Sequence, residues 1–238
     1  MATATKVNRV ANRISSTSNG NGKAKLAITK PSEPERVSII RPDLVLFTVT
    51  IRGITPLIEH KFSEKAKESI KAKQGHEAKG AKGKRDPNAE YLAACYTLPG
   101  PAAGQKGCRY GIPVSQLKAA CVGACRYIEG LPMTMARGAF QFIADEDGMF
   151  ELKFKSMRMV EHGVRINNGK SFDLRYRPEF TDWHCKAKIL YNAGNISAEQ
   201  IINLLSVAGF HCGIAELRPN SKSGPGYSYG QFEVETSK

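Results

Sequence analysis

The segment LVLFTVTIRG, Leu44 to Gly53, constrains the fold of this chain more than any other stretch of its sequence. β-Branched and aromatic residues dominate it, no charge occurs before Arg52, and Gly53 ends the run. Such a run is typical of a β-strand and is too short to cross a membrane as a helix. Because so few of its positions are polar, we predict that this strand lies in the centre of a sheet.

Three later segments show the spacing of amphipathic helices. In LIEHKFSEKAKESIKAKQ, Leu57 to Gln74, apolar residues recur at helical intervals and Ser63 is a candidate N-cap, which predicts a basic amphipathic helix. Pro113 to Gly130 predicts a second helix, and Ser197 to Gly209 predicts a third. Each of these two has an apolar stripe, and each ends at a glycine, which commonly terminates a helix.

The remaining pattern consists of strands. Alternation around Phe140 to Met159 predicts a hairpin with DEDG at its turn, and Trp183 to Asn192 and Gly230 to Glu235 predict two further strands. Without its insertions, the order approximates the β-α-β-β-α-β pattern. We therefore predict an α+β fold, a ferredoxin-like (RRM-like) antiparallel sheet with helices on one face and the other face free.

Two segments are expected to lie outside the regular elements. Residues 1–36 are rich in Ser, Thr, Asn, Gly and Lys and hold few large apolar side chains, so they cannot bury enough surface to offset the entropy lost on ordering. We predict a flexible basic arm there and a single domain over residues 37–238. The Gly- and Lys-rich stretch GHEAKGAKGKRDPNAE predicts a flexible basic insertion at about residues 75–88.

Charge is the unusual feature of the composition. Lysine and arginine number 35 against 22 aspartates and glutamates, which gives a net charge of +13. Such an excess attracts nucleic acid, an anionic membrane surface or an acidic protein. No apolar run is long enough to span a membrane, and the first residues lack the apolar core of a secretory signal. We therefore expect a cytoplasmic protein with no membrane partner.

Cysteines and catalytic motifs give little support to an enzyme. Six scattered cysteines in a chain of this length are typical of reduced, intracellular thiols. Cys121 and Cys125 fall in the apolar stripe of a predicted helix, which favours core packing over a zinc site. No nucleotide-binding, hydrolase or metalloprotease motif is present, so we predict no metal and no cofactor. A metal-independent ribonuclease that uses His184 or His211 stays open as an alternative.

Two basic segments are candidates for contact with a polyanion, because their cations can bind phosphates and the rings of the second can stack on bases. The first belongs to the predicted insertion, and the second, RINNGKSFDLRYRPEF, places Phe172, Tyr176 and Phe180 between its cations. The alternative for the second segment is an ordinary strand with solvated arginines. The candidate residues are Lys79, Lys82, Lys84 and Arg85 in the first segment and Arg165, Lys170, Arg175 and Arg177 in the second.

The third candidate is the C-terminal stretch GIAELRPNSKSGPGYSYGQF, Gly213 to Phe232. Its glycines permit positive φ and leave backbone N–H groups unshielded, so that the backbone can approach a phosphate closely. Its side chains add Arg218, Lys222, Tyr227 and Tyr229. Long loops within a compact domain are usually either functional or disordered, and we favour a ligand-facing loop.

A helix, a C-terminal glycine-rich loop and a closing short strand in such a chain resemble the RAMP superfamily of CRISPR-associated RNA-binding proteins. The residues that carry the resemblance are the helix Ser197 to Gly209, the loop GIAELRPNSKSGPGYSYG and the closing QFEVE. The chain also looks like phage-encoded proteins that have ITPLIEHKFSEKA near the start and AELRPNSKSGPGYSYGQF near the end. The resemblance implies binding of single-stranded nucleic acid on an open sheet face and the glycine-rich loop, often as a side-by-side filament. No histidine maps onto the catalytic position of the processing endonucleases in that superfamily.

The sequence therefore predicts a non-enzymatic protein that binds single-stranded RNA or DNA, and the two resemblances imply that it forms homo-oligomers along the strand and is encoded by a phage. Two alternatives stay open: a metal-independent endoribonuclease on a RAMP-like scaffold, and a viral structural or assembly protein whose basic arm contacts a packaged genome or a neighbouring subunit.

Overall fold

The computed structural model describes residues 39–62, 64–75, 84–166, 171–221 and 227–235. The chain divides into two units, Met1–Ile40 and Arg41–Lys238, and nearly all of the first unit, including the predicted arm, lies outside the described residues. The regular elements of the second unit are, in chain order, β1 (Leu44–Gly53), β2 (Leu57–Ile58), α1 (Glu64–Gln74), α2 (Pro87–Ala93), β3 (Tyr110–Pro113), α3 (Val114–Ala124), α4 (Met133–Gly138), β4 (Phe140–Ile143), β5 (Met149–Leu152), β6 (Ser156–Ile166), β7 (Ser171–Thr181), β8 (His184–Asn192), α5 (Ala198–His211) and β9 (Phe232–Glu235).

The main sheet confirms the predicted α+β, ferredoxin-like fold. Its strand order is β4-β8-β1-β9, and every neighbouring pair is antiparallel. Along the chain, α3 lies between β1 and β4, and α5 lies between β8 and β9. These six elements give the β-α-β-β-α-β order. Strand β1 begins and ends where the sequence predicts and is an interior strand of the sheet.

One face of the main sheet carries the hydrophobic core. Alternate residues of β8, among them Cys185, Ala187 and Ile189, are buried, as are Val49 and Ile51 of β1. They belong to one cluster with the buried stripes of α3 and α5, which include Leu117, Cys121, Leu204 and Leu205. The helices therefore lie on this face, and the core position expected for Cys121 is confirmed.

The other face of the main sheet is open. It presents alternate residues of the four strands, and its cations are Arg52, Lys186 and Lys188. Arg52 pairs with Glu235, and Lys188 lies 2.9 Å from Asp145, so two of these three charges are neutralised by carboxylates. Among the described residues of this face there is no Phe, Tyr or Trp side chain.

The insertions build two smaller sheets. Strands β6 and β7 pair along their whole length as an antiparallel hairpin, and β2 adds to the other edge of β7. Strand β3 pairs with β5 in a two-stranded sheet. No helix within the described ranges is long and apolar enough to cross a membrane.

Two predicted elements differ in the structure. Leu57 and Ile58 do not belong to a helix: both are buried in β2 and pair with Phe180 and Glu179, while the helix begins only at Glu64. The candidate N-cap Ser63 lies outside the described residues. An apolar pair this short fits the periodicity of a helix and that of a strand equally well, and in the structure it pairs with β7.

The hairpin predicted over Phe140 to Met159 is also wrong, because its two strands do not pair with each other. The DEDG turn forms, with the amide of Met149 donating to the Glu146 carbonyl at 2.8 Å. However, β4 pairs with β8 and β5 pairs with β3, because each finds its ladder partner elsewhere in the chain.

The two later helices have different ends from those predicted. Helix α3 ends at Ala124 and continues only as a single 3₁₀ turn, Cys125–Tyr127. Helix α5 begins with the expected Ser197 cap but runs past Gly209 to His211. The reason is close packing: a Cβ at Gly209 would lie 1.9 Å from the carbonyl oxygen of Phe232, so the glycine serves the contact between α5 and β9 rather than the helix end.

Candidate nucleic-acid interface

Two cavities beside the main sheet share His60 in their linings. One, of about 410 Å³, lies between α3 and residues 212–220, and we call it the loop cavity. The other, of about 580 Å³, lies between residues 60–62, α2 and β7, and we call it the helix groove. The lining of the loop cavity includes His60, Tyr96, Gln116, Glu216, Arg218 and Asn220. The lining of the helix groove includes Lys61, Phe62, Lys84, Arg85, Arg175 and Tyr176.

Local sequence fixes the first wall of the helix groove. Helix α2 begins at Pro87, and the Asp86 carboxylate caps it by accepting the amides of Asn88 and Ala89 at 3.0 and 3.2 Å. The preceding residue, Arg85, donates to Glu90 at 2.8 and 2.6 Å. Its guanidinium also reaches β7, where it donates to Asp173 at 2.8 Å. Arg85 therefore ties α2 to β7, and two carboxylates balance its charge.

Other cations of the helix groove are less engaged. No carboxylate among the described residues forms an ion pair with Lys61 or Lys84, and Lys84 is exposed. Arg175 lies 3.8 Å from Asp173, beyond hydrogen-bonding distance, and its second contact is with His60. The charges of Lys61 and Lys84 are therefore available to an anionic ligand, whereas Arg175 shares Asp173 with Arg85.

Aromatic rings lie among these cations. Phe62 is 49% exposed, and the guanidinium of Arg85 lies 5.8 Å from the ring centroid of Tyr176. Cations that follow a phosphate backbone, together with rings on which bases stack, are the means by which proteins bind single strands without base preference. The helix groove has both components within one surface.

His60 occupies the junction of the two linings, and its hydrogen bonds define its tautomer. Its Nε2 lies 3.2 Å from a guanidinium nitrogen of Arg175, which only donates, so Nε2 accepts and Nδ1 carries the hydrogen. Burial lowers the pKa of His60, and the neighbouring charges of Arg177 and Arg175 lower it further. The imidazole is therefore neutral near pH 7, and its Nδ1–H has no hydrogen-bond partner among the described residues.

Arg177, a predicted contact residue, is buried with 1% of its surface exposed. Its nearest carboxylate is that of Glu216, at 3.6 Å, and its Nε and one terminal nitrogen have no partner among the described residues. Burial lowers its pKa, although the charge of Glu216 opposes that shift. Since its guanidinium does not reach the surface, we leave Arg177 out of the interface.

The glycine-rich loop is packed more tightly than the sequence indicates. The amide of Gly213 donates to the Ala208 carbonyl at 2.9 Å, and the amide of Gly230 donates to the Pro56 carbonyl at 2.8 Å. A Cβ at Gly230 would lie 2.1 Å from the carbonyl oxygen of Ile214. The expectation of unshielded N–H groups is therefore wrong for these two glycines, whose role is close backbone packing; Gly224 and Gly226 lie outside the described residues.

The side chains of this loop are divided between two places. Arg218 lines the loop cavity, where its guanidinium donates to the Ala215 carbonyl at 2.6 Å. Tyr227 is 42% exposed, and its ring centroid lies 6.2 Å from that of Tyr229. Tyr229 in turn lies edge-on to His162 of β6. The tyrosines form a small aromatic group that does not contribute to the loop cavity.

The structure thus brings together Lys84, Arg85 and Arg175 at the helix groove and places Arg218 in the loop cavity. Arg165 pairs with Phe172 in the ladder of the hairpin, but its side chain is not described. Lys79, Lys82, Lys170 and Lys222 lie outside the described residues.

The histidines considered for a ribonuclease lie elsewhere. His184 is opposite Arg52 on the open face of the main sheet. His211 stacks on Tyr127 with ring centroids 4.3 Å apart. Neither lines the loop cavity or the helix groove. Within the described ranges, no group of three His, Cys, Asp or Glu side chains is placed to hold a metal ion.

Sequence reasoning missed several residues of both cavities, namely His60, Lys61, Phe62, Tyr96, Gln116 and Asn220. The segment EHKF, Glu59 to Phe62, contains the only local signal, a histidine, a lysine and an aromatic residue in succession. It was absorbed into the predicted helix. Gln116 on α3 has no local signal, because it lines the loop cavity only together with a loop about a hundred residues later in the chain.

Comparison with known proteins gives no family for the chain. No protein-family model matches it, and no curated protein does either. Among solved structures the chain is similar to the crystal structure of Cmr6 from Pyrococcus furiosus, with 10% sequence identity and a TM-score of 0.40, over 81% of this chain and 99% of that one. The strand order of the main sheet, and not this likeness, shows the ferredoxin-like fold.

Proposed function

We propose that this protein binds single-stranded nucleic acid along the helix groove and the adjoining loop cavity. The observation that carries the proposal is the helix groove itself, in which the unpaired charges of Lys61 and Lys84 lie in one surface with the rings of Phe62 and Tyr176. Phosphates would bind the cations and splayed bases would stack on the rings. The overall charge of +13 adds a long-range attraction for any strand.

The location of the proposed surface differs from the one that the sequence resemblance implies. The open face of the main sheet offers Lys186 as a free cation and no Phe, Tyr or Trp among its described residues. A strand on that face would have few charges to bind and few rings on which to stack. We therefore favour the helix groove and the loop cavity over the open face.

Salt dependence of binding tests this proposal. We expect the logarithm of the association constant of a labelled single strand to fall linearly with the logarithm of salt concentration, by about 0.7 for each phosphate contacted. Lys84→Ala should weaken binding and reduce that slope by about 0.7. The measurement is fluorescence anisotropy over a salt series, with RNA and DNA strands of equal length.

The matched control is Lys186→Ala, which removes the same charge from the open face. It should leave the slope nearly unchanged. If the two substitutions change the slope equally, the helix groove is not the binding surface. Binding that is undetectable or insensitive to salt would contradict the proposed function as a whole.

The resemblance to RAMP proteins adds a finer part to the proposal, that several copies bind one strand side by side. Sedimentation of the protein with strands of increasing length checks it: one further copy for each fixed increment of length is expected. A stable oligomer that forms without any strand and does not bind one would instead favour the assembly-protein alternative.

A further inference from the structure

The loop cavity is large enough to bind part of a ligand. Its volume of about 410 Å³ lies in the range of small-molecule pockets, about 300–1,000 Å³. One wall is α3, which contributes Gln116, Ala119 and Ala120, and the opposite wall is the segment that contains Ile214 and Arg218. Both walls thus contribute apolar and polar groups to the lining.

Two polar groups of residues in this lining have no partner. The Nδ1–H of His60 is a buried donor, and Oε1 of Gln116 is a buried acceptor, and neither has a hydrogen-bond partner among the described residues. Buried polar atoms are almost always hydrogen-bonded, so unpartnered ones indicate a missing bonding group. A ligand with both an acceptor and a donor would satisfy them.

The backbone of the opposite wall is held in an uncommon conformation. Ala215 and Leu217 have φ values of 62° and 54°, in the left-handed region that non-glycine residues rarely adopt. Hydrogen bonds fix the segment on both sides: the amide of Ile214 donates to the Gly230 carbonyl at 3.0 Å, and the amide of Glu216 donates to the Ile58 carbonyl at 2.9 Å. Strained residues that are held so firmly are concentrated at ligand sites.

Charges of both signs line the loop cavity. Glu216 contributes a carboxylate, 3.6 Å from the buried guanidinium of Arg177, and Arg218 contributes a guanidinium that already donates to the Ala215 carbonyl. The alanines of α3 offer an apolar wall to a flat ring. A planar neutral group with hydrogen-bonding edges fits these features better than a phosphate does.

We propose that the loop cavity takes one nucleobase, turned out of the strand, with its edge hydrogen-bonded to His60 and Gln116. The inference rests on the proposed function and specifies a subsite for it. Each natural base has both a donor and an acceptor on its Watson–Crick edge, as this pair of groups requires. Arg218, a half-buried cation of the same lining, is available for the adjoining phosphate.

The test compares strands with and without bases. Wild-type protein should bind a base-bearing strand more tightly than an abasic strand of equal length and charge, since base contacts in such sites are each worth about 1–3 kcal/mol, or roughly five- to 150-fold in affinity. Ala119→Phe, which fills the loop cavity from an exposed position, should reduce that ratio several-fold. Gln116→Leu should reduce it as well, and Ala193→Phe, exposed and outside the cavity, should not.

The outcomes separate this inference from the proposed function. If folded Ala119→Phe and Gln116→Leu proteins keep the wild-type ratio, the nucleobase subsite is overturned while strand binding stands. If wild-type protein binds neither strand, the proposed function fails first. A second experiment titrates nucleoside monophosphates and measures the melting temperature of the protein. If a nucleotide raises the melting temperature of the wild type but not that of Ala119→Phe, the loop cavity also recognises the nucleobase of a free nucleotide. Absence of that rise, together with unchanged ratios, overturns the inference.

Discussion

The carboxyl of Glu59 is the most deeply buried acidic group described in this chain. None of its surface is exposed, one oxygen accepts the amide of Tyr96 at 3.2 Å, and the other has no partner among the described residues. Burial raises its pKa well above the usual 4.5, and the bond from Tyr96 opposes that shift only in part. The folded protein therefore holds a proton that the unfolded chain releases.

This proton makes stability depend on pH with a definite sign. Above pH 4.5 the folded state binds more protons at Glu59 than the unfolded state does, so the contribution of Glu59 to the free energy of unfolding falls as pH rises. Glu59→Gln mimics the protonated form and cannot titrate, so we expect it to lose this pH-dependent part of the free energy of unfolding. Urea denaturation of both proteins between about pH 5 and pH 8 should show a shallower decline for the variant. Parallel curves would mean that Glu59 is ionised in the folded state.

At the residue scale, three of the predicted contact residues, Lys84, Arg85 and Arg175, line one groove, and their contact with nucleic acid stays a prediction. The two partners of Arg85 differ in distance along the chain, since Glu90 is five residues away and Asp173 is 88 residues away. Only the fold brings Asp173 into contact with Arg85, and only the fold brings Glu216 to within 3.6 Å of Arg177. Ion pairs between residues so far apart in the chain leave no local pattern in the sequence.

At the scale of elements, the packing of α5 on β9 depends on one helical glycine. Gly209 lies against the backbone of Phe232, and a Cβ there would come within 1.9 Å of the carbonyl oxygen. We expect Gly209→Ala to force α5 away from β9 and to lower the free energy of unfolding by about 1–3 kcal/mol, the usual cost of overpacking. Chemical denaturation measures the change.

Gly138→Ala is the matched control for that substitution. Gly138 is the last residue of α4, and a Cβ there would have no atom within 4 Å. Alanine has the higher helix propensity, so this variant should be as stable as the wild type or slightly more stable. Equal losses in the two variants would show that Gly209 is not a packing constraint.

Elements were predictable where their signal is local. The bounds of β1 and the Ser197 cap of α5 follow from runs and caps that the sequence contains, and Gln200 completes the capping box. Strand pairing was not predictable in the same way, because β4 and β5 are joined by a turn and yet belong to different sheets. A hairpin signal specifies the turn, whereas the ladder depends on strands that compete for each edge.

At the scale of the whole molecule, the ferredoxin-like order emerged from the sequence because its long helices and central strand are strongly patterned. The position of the proposed interface could not be predicted from the sequence, because the helix groove is formed by inserted segments and not by the main sheet. A net charge of +13 predicts a polyanionic partner, but charge spread over the chain does not indicate where such a partner would bind.

Photo-cross-linking of a single strand that carries photoreactive bases tests the central claim most directly. After irradiation and digestion, mass spectrometry identifies the peptides joined to the strand. We predict cross-links to peptides containing His60 to Phe62, Lys84 to Tyr96 and Arg175 to Tyr176, reduced when Lys61 and Lys84 are both replaced by alanine. Cross-links confined to the open face, in β1 and β8, and unaffected by those replacements would contradict the account.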